Sequence, residues 1–228
     1  MSLDTFRHLV PFSELLSAVV GTIYFYKYKN TCLKYFLILL WYITLTEFSG
    51  WYISANRIES LLFFDQNGTK YNLWMYNLLR IFTFSTIFYI YIKSINTKRY
   101  KQLIKAFLIT YLILVVINWS FIQSFIFEMS EIPKVIGSLF VTVTVIFYFI
   151  ELLKSEKIIT FHRVLLFWIS TGILLYYSGT IPFAFKWNGY MLIPGIHKLF
   201  LINTILSMTM YLTFTFGFIL SDKEEKIE

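Results

Sequence analysis

Apolar residues run in seven long blocks along the chain, at 10–26, 35–54, 73–92, 103–122, 135–153, 164–185 and 195–220, and short polar stretches separate them. Each block holds about 17 to 26 residues, enough for a helix to cross ~30 Å of hydrocarbon at ~1.5 Å per residue. The blocks are continuously apolar and lack strict alternation, which predicts helices; a membrane barrel would show ~10-residue alternating segments. The expected fold is therefore all-α, a single domain over residues 1–228 built as a bundle of seven transmembrane helices. The first block follows Asp4 and Arg7 and leads into Tyr24-Phe25-Tyr26-Lys27. It has neither a basic leader nor a small-residue cleavage site, so it reads as a retained span.

Charge placement orients the bundle. Of twenty Lys and Arg, thirteen fall in the 27–34, 93–105 and 154–163 loops and the tail, and six (Arg7, Arg57, Lys70, Lys134, Lys186, Lys198) on the opposite side. The positive-inside rule puts the C-terminus in the cytoplasm and the N-terminus outside. Trp51, Trp74, Trp119 and Trp187 mark the outer interface. The composition agrees: only 14% of residues are charged, where a soluble domain carries roughly a quarter. The basic 93–105 loop suits anionic headgroups. Asn67-Gly68-Thr69 fits a glycosylation pattern, which in a bacterial protein would mean only a turn.

The twentieth basic residue, Arg80, lies inside the third block. A charge near the membrane centre costs about 2.5–3.5 kcal/mol on insertion scales, so it needs company. Glu14 and Glu47 lie in the two preceding blocks. Counted from the outer end of each block, all three sit roughly 9–12 Å deep. The expectation is that they meet. Asn77, Asn118, Tyr176, Tyr177, Ser178 and Asn203 reach a similar level, while Glu14, Ser17, Ala18 and Gly21 form a small-residue face that turns Glu14 inward. Together Glu14, Glu47, Asn77, Arg80, Asn118, Tyr176, Tyr177 and Asn203 outline a ligand-binding layer in the outer half of the bundle. The alternative is a buried cluster that only fixes helix register.

Other chemistries lack their residues. One cysteine, Cys32, excludes an internal disulfide or a multi-cysteine metal site. His8 and His197 sit at the outer edge and His162 at the inner one, poorly placed for haem or a zinc hydrolase, so no cofactor, metal or enzymatic activity is expected. An arginine in the third of seven spans is also found in microbial rhodopsins, but no lysine stands mid-span in the seventh block to hold retinal. No nucleic-acid partner is indicated, and no output domain is visible in the sequence.

The runs Leu165-Leu166-Phe167-Trp168-Ile169-Ser170-Thr171-Gly172, Tyr176-Tyr177-Ser178-Gly179, Ile181-Pro182-Phe183 and Pro11-Phe12-Ser13-Glu14-Leu15 resemble a group of small seven-span inner-membrane proteins of Bacteroidota-type bacteria, often encoded beside membrane-bound sensor histidine kinases. The resemblance implies a multi-pass protein of the bacterial inner membrane with a signalling role, and it carries over no site residue. The function expected is a membrane receptor, sensor or accessory subunit with an outward-facing polar pocket. It would act through a separate partner, a histidine kinase or another membrane protein. A small proton-coupled secondary transporter and an assembly subunit of a membrane complex are the alternatives.

Overall fold

The computed structural model describes residues 9–56, 58, 61–64, 70–184 and 197–223. Seven α-helices occur among them: α1 (Leu9–Ile23), α2 (Lys34–Asn56), α3 (Leu73–Ser94), α4 (Lys98–Phe121), α5 (Glu131–Leu153), α6 (Leu165–Ala184) and α7 (His197–Leu220). Five of these, α2, α3, α4, α5 and α7, are long and apolar enough to cross a membrane. The apolar stretches of α1 (Leu9–Ile23) and α6 (Leu165–Ile181) are shorter. Against an expectation of helix alone, a two-residue antiparallel ladder pairs β1 (Phe63–Phe64) with β2 (Lys70–Tyr71) in the α2–α3 connection. Asn67-Gly68-Thr69, His8 and Trp187 lie outside the described residues.

Sequential helices pack side by side, and α1 packs against α7, so the order closes on itself. α3 runs through the middle of these contacts. It touches α2, α4 and α5, and its Tyr91 hydroxyl meets Ser170 of α6 at 2.6 Å. The α6–α7 pair is close because Gly172 leaves room: a Cβ there would stand 2.7 Å from the Phe214 ring and 3.1 Å from the Met210 carbonyl oxygen. Such small-residue contacts let helix backbones approach where lipid supplies no hydrophobic drive between helices.

The basic 93–105 segment is mostly helix. Only Ile95, Asn96 and Thr97 separate α3 from α4, and Lys98 to Lys105 form the first two turns of α4. Glu151, at the end of α5, accepts hydrogen bonds from the backbone N–H of Asn96 (2.6 Å) and Thr97 (3.0 Å), so a neighbouring helix closes this turn.

The same end of the bundle is tied by Lys27, in the 3-10 turn Phe25–Lys27. Its ammonium donates to the carbonyls of Phe218 (3.2 Å), Ile219 (2.9 Å) and Ser221 (2.6 Å), serving acceptors that the end of α7 leaves open. Tyr28 stacks on Phe218, and Arg163 pairs with Asp222 at 3.4 Å. Burial holds the Lys27 ammonium below the ordinary lysine pKa of 10.5, with Asp222 pulling the other way. Below that value the unfolded chain therefore binds more protons at this position than the folded one, and stability rises with pH through the window. Lys27→Met should lower stability by about 1–2 kcal/mol at neutral pH, a hydrogen-bond estimate reduced for partial exposure. The wild-type-minus-variant difference in Tm should widen as pH rises toward 10.5, and a narrowing gap would contradict the sign.

Candidate functional site

Helix register decides which polar groups meet. Gly21 of α1 lies against Leu37 of α2 and Phe218 of α7; a Cβ on it would stand 3.0 Å from either side chain. This contact fixes α1 against the last turns of α7. Glu14 lies nine residues before Ile23, and Tyr211 nine before Leu220. The two should therefore face each other, and the Glu14 carboxyl does interact with the Tyr211 hydroxyl. Both stand roughly 13–14 Å from the Lys27 end of the bundle. Arg80 lies fourteen residues before Ser94, roughly 21 Å from that end. Counting inward from the start of each apolar block puts Glu14 level with Arg80. The packing of α1 on α7 places it roughly 7 Å, a little over one helical turn, closer to the middle.

The expected Glu14–Arg80–Glu47 meeting is not what forms. Arg80 donates from Nη1 to the Ser130 carbonyl at 2.7 Å and from Nη2 to Met129 Sδ at 3.9 Å; its charged or phenolic neighbours are Tyr111, Tyr176, Tyr177 and Glu131. Among the described residues it makes no ion pair with either acid. Glu14 is 4% exposed, and its Oε2 has no hydrogen-bond partner. Glu47 lies within its electrostatic reach and accepts a 3.4 Å hydrogen bond from Tyr76. The Tyr76 hydroxyl sits over Gly50, where a Cβ would approach it to 2.5 Å.

Asn77 binds main chain. Its Nδ2 donates to the carbonyls of Phe125 (2.8 Å) and Glu128 (2.9 Å), and its Oδ1 accepts from the Ser130 N–H (3.1 Å). With Arg80 it fastens the connection between α4 and α5 to α3. The connection is also folded on itself. Glu128 accepts from the Ser124 N–H at 2.7 Å, and the Ser124 hydroxyl accepts from the N–H of Ile126 and Phe127, both at 3.3 Å. Trp119 turns inward to donate to the Ser130 hydroxyl at 2.6 Å and packs edge-on against Phe125, so it is more than an interfacial marker.

Asn118 is 1% exposed and neither of its side-chain amide atoms has a partner. It continues the buried stripe of α4 through Val115 to Tyr111, whose hydroxyl also lacks one. Tyr177 is buried and stacks at a tilt on Phe84, which also meets Tyr111. Tyr176 interacts with Ser207 and lies within electrostatic reach of Arg80, Glu14 and Glu47 together. Asn203 is half-buried, and its carbonyl accepts the Ser207 hydroxyl at 3.0 Å. Ser178 is exposed and bonded to the Leu174 carbonyl, which takes it out of the layer.

The arrangement is a column along the bundle axis, where the sequence suggested a single level. Counted from the inner helix ends, Asn118 and Lys134 stand at the top, Arg80, Tyr111 and Glu47 follow within ~2 Å of one level, Tyr177 and Tyr176 lie just below, and Glu14 with Tyr211 is at the base. Sequence reasoning missed Tyr76, Tyr111, Tyr211, Glu131 and Lys134. Tyr111 carries a legible signal, because it precedes Asn118 by two full turns on one helical face. Lys134 looks like a loop charge until α5 is seen to start at Glu131; it then falls in the first turn, within reach of Arg80 and Glu131. The described residues hold no group of three metal-ligating side chains. His197 begins α7, and the His162 carbonyl accepts from Trp168 Nε1 at 2.8 Å.

Compared with protein-family models, curated proteins and solved structures, the chain matches none of them.

Proposed function

We propose that this chain is a seven-crossing receptor, or sensory accessory subunit, of a bacterial inner membrane. Its N-terminus lies outside and its C-terminus in the cytoplasm, and it binds a small polar ligand in the column. The shift is passed to a separate membrane partner, for which a sensor histidine kinase is the first candidate. The observation that carries this reading is the asymmetry of the core. From mid-bundle to the Arg80 end every helix contributes a buried polar side chain, and Glu14 Oε2, the Asn118 amide and the Tyr111 hydroxyl lack partners. Toward the Lys27 end the core is dominated by Phe36, Phe88, Ile90, Ile95, Ile104, Phe214 and Phe218, with Ser17 Oγ and Ser221 Oγ as small unpartnered hydroxyls among them. Buried polar groups without partners are costly, and a ligand entering from one side would satisfy them.

A thermal-shift screen of the full chain in nanodiscs tests the proposal, using small carboxylates, amines, amino acids and sugars. A stabilising compound is expected whose effect disappears in Asn118→Leu or Arg80→Gln. If none stabilises the chain and it co-purifies stoichiometrically with another membrane protein, it is an assembly subunit.

One observation favours a second reading, transport. Glu14 stands near mid-bundle, where carriers place their sites. Proton-coupled flux in vesicles that is lost in Glu14→Gln would establish it. The tightly packed aromatic half below Glu14 favours the receptor.

A further inference from the structure

The Lys27 half of α2 presents a groove on the outside of the bundle. Phe25, Lys34, Leu37, Ile38, Trp41 and Leu45 line it, and it encloses about 450 Å³. The α2 positions recur at intervals of three and four residues, so they form one stripe along the helix. Lys34 begins α2, and the stripe from Lys34 to Leu45 runs roughly 16 Å along the axis. Half of a ~30 Å hydrocarbon core is about 15 Å, so the groove is as long as one leaflet is deep. Its walls are apolar below Lys34. Trp41 turns its indole N–H away to the Thr22 hydroxyl of α1 at 3.0 Å, which leaves the groove only its ring.

The rim of the groove is basic. Lys34 Nζ lies 5.2 Å from the centre of the Tyr35 ring, Lys93 Nζ of α3 lies 5.9 Å from that of Tyr89, and the two rings meet edge to face at 5.3 Å. One aromatic pair thus holds two ammonium groups where α2 begins and α3 ends. Among the described residues neither ammonium pairs with an acid: at this end Glu151 holds the α3–α4 turn and Asp222 pairs with Arg163. A soluble anion would suit the lysines and make no use of the apolar walls. An apolar helix of another protein would suit the walls and leave the lysines without a counter-charge. A lipid with an anionic headgroup matches both, in the order in which they occur with depth. Resting on the membrane-crossing reading above, and not on ligand binding in the column, we infer that the groove holds an acyl chain of one anionic phospholipid from the leaflet at the Lys27 end, with its phosphate toward Lys34 and Lys93.

The test places the full chain in nanodiscs that carry a minor share of lipid brominated at mid-chain, and reads quenching of Trp41 as the difference between wild type and Trp41→Phe. Trp41 lies roughly 10 Å below Lys34, the depth at which such bromines sit. Brominated phosphatidylglycerol should occupy the groove about five- to thirtyfold more readily than brominated phosphatidylcholine, the preference that one or two lysines confer. Lys34→Gln should reduce that preference about fivefold, and Lys34→Gln with Lys93→Gln should abolish it. Native mass spectrometry of the wild-type chain needs no variant, and should show one phosphatidylglycerol retained where phosphatidylcholine is stripped. Equal quenching by the two lipids, or a preference that survives the double substitution, overturns the anionic headgroup site. If neither lipid quenches Trp41 while the other tryptophans are quenched, protein covers the groove and the assignment is wrong. In each of these cases the membrane-crossing reading stands. If the chain neither enters nanodiscs nor fractionates with membranes, that reading fails and the lipid site fails with it.

Discussion

Replacing Asn77 with leucine will detach the connection between α4 and α5 from the bundle. One side chain serves three main-chain groups there, the carbonyls of Phe125 and Glu128 and the N–H of Ser130. An unsatisfied buried polar group costs about 1–3 kcal/mol, so a loss of about 3 kcal/mol or more is expected. For a chain of this size that corresponds to a fall in Tm of roughly 6–12 °C. Asn77→Asp is the informative companion. It keeps the acceptor for Ser130 but offers no donor to the two carbonyls, so it should fall between wild type and Asn77→Leu. Limited proteolysis gives a local readout: cleavage near Phe127 and Met129 should accelerate in Asn77→Leu well before the helices open. If both variants keep the wild-type Tm and proteolytic pattern, Asn77 does not hold this connection, and the anchoring role assigned to it here is wrong.

The same residue shows how far the sequence could be read. Seven apolar blocks yield seven helices because a continuous apolar run of that length has few other ways to satisfy its backbone in lipid. Their boundaries are less legible. Lys98, Arg99 and Lys101 resemble loop residues yet extend α4, since basic side chains can leave a helix end for the headgroups. The depth of a polar residue is legible only once its helix is in register with its neighbours. Register here depends on contacts such as Gly21 with Phe218, nearly two hundred positions apart, which no local pattern shows. The level of Glu14 therefore follows from its contacts with α2 and α7 and not from its position within its own block. Asn77 and Arg80 were recognised as exceptional, but their partners are main-chain groups of the α4–α5 connection, and a backbone carbonyl has no signature in the sequence. An arginine among apolar residues draws attention to acids, although a carbonyl at 2.7 Å serves it as well.

That difference in partner gives a second large effect, in the coupling between substitutions. If Arg80 were the counter-ion of Glu14 or Glu47, Arg80→Leu would strand a buried acid at a cost of about 3–5 kcal/mol, and neutralising the acids would rescue much of it. The geometry described here gives the opposite result. Arg80→Leu leaves the Ser130 carbonyl without its donor, a loss of about 1–3 kcal/mol, and removes one charge from the apolar interior, which offsets part of it. Adding Glu14→Gln should then be additive within about 0.5 kcal/mol, because the two residues share no contact. Adding Asn77→Leu should not be additive, because both side chains grip Ser130, and once one has let go the other has less to hold. The double loss should fall short of the sum by about 1 kcal/mol or more. Chemical or thermal unfolding of the three single variants and the two doubles measures both terms. Strong rescue of Arg80→Leu by Glu14→Gln would restore the ion-paired cluster and displace the carbonyl-bound arginine. Additivity with Glu14, together with coupling to Asn77, is the pattern that only the carbonyl-bound arginine produces.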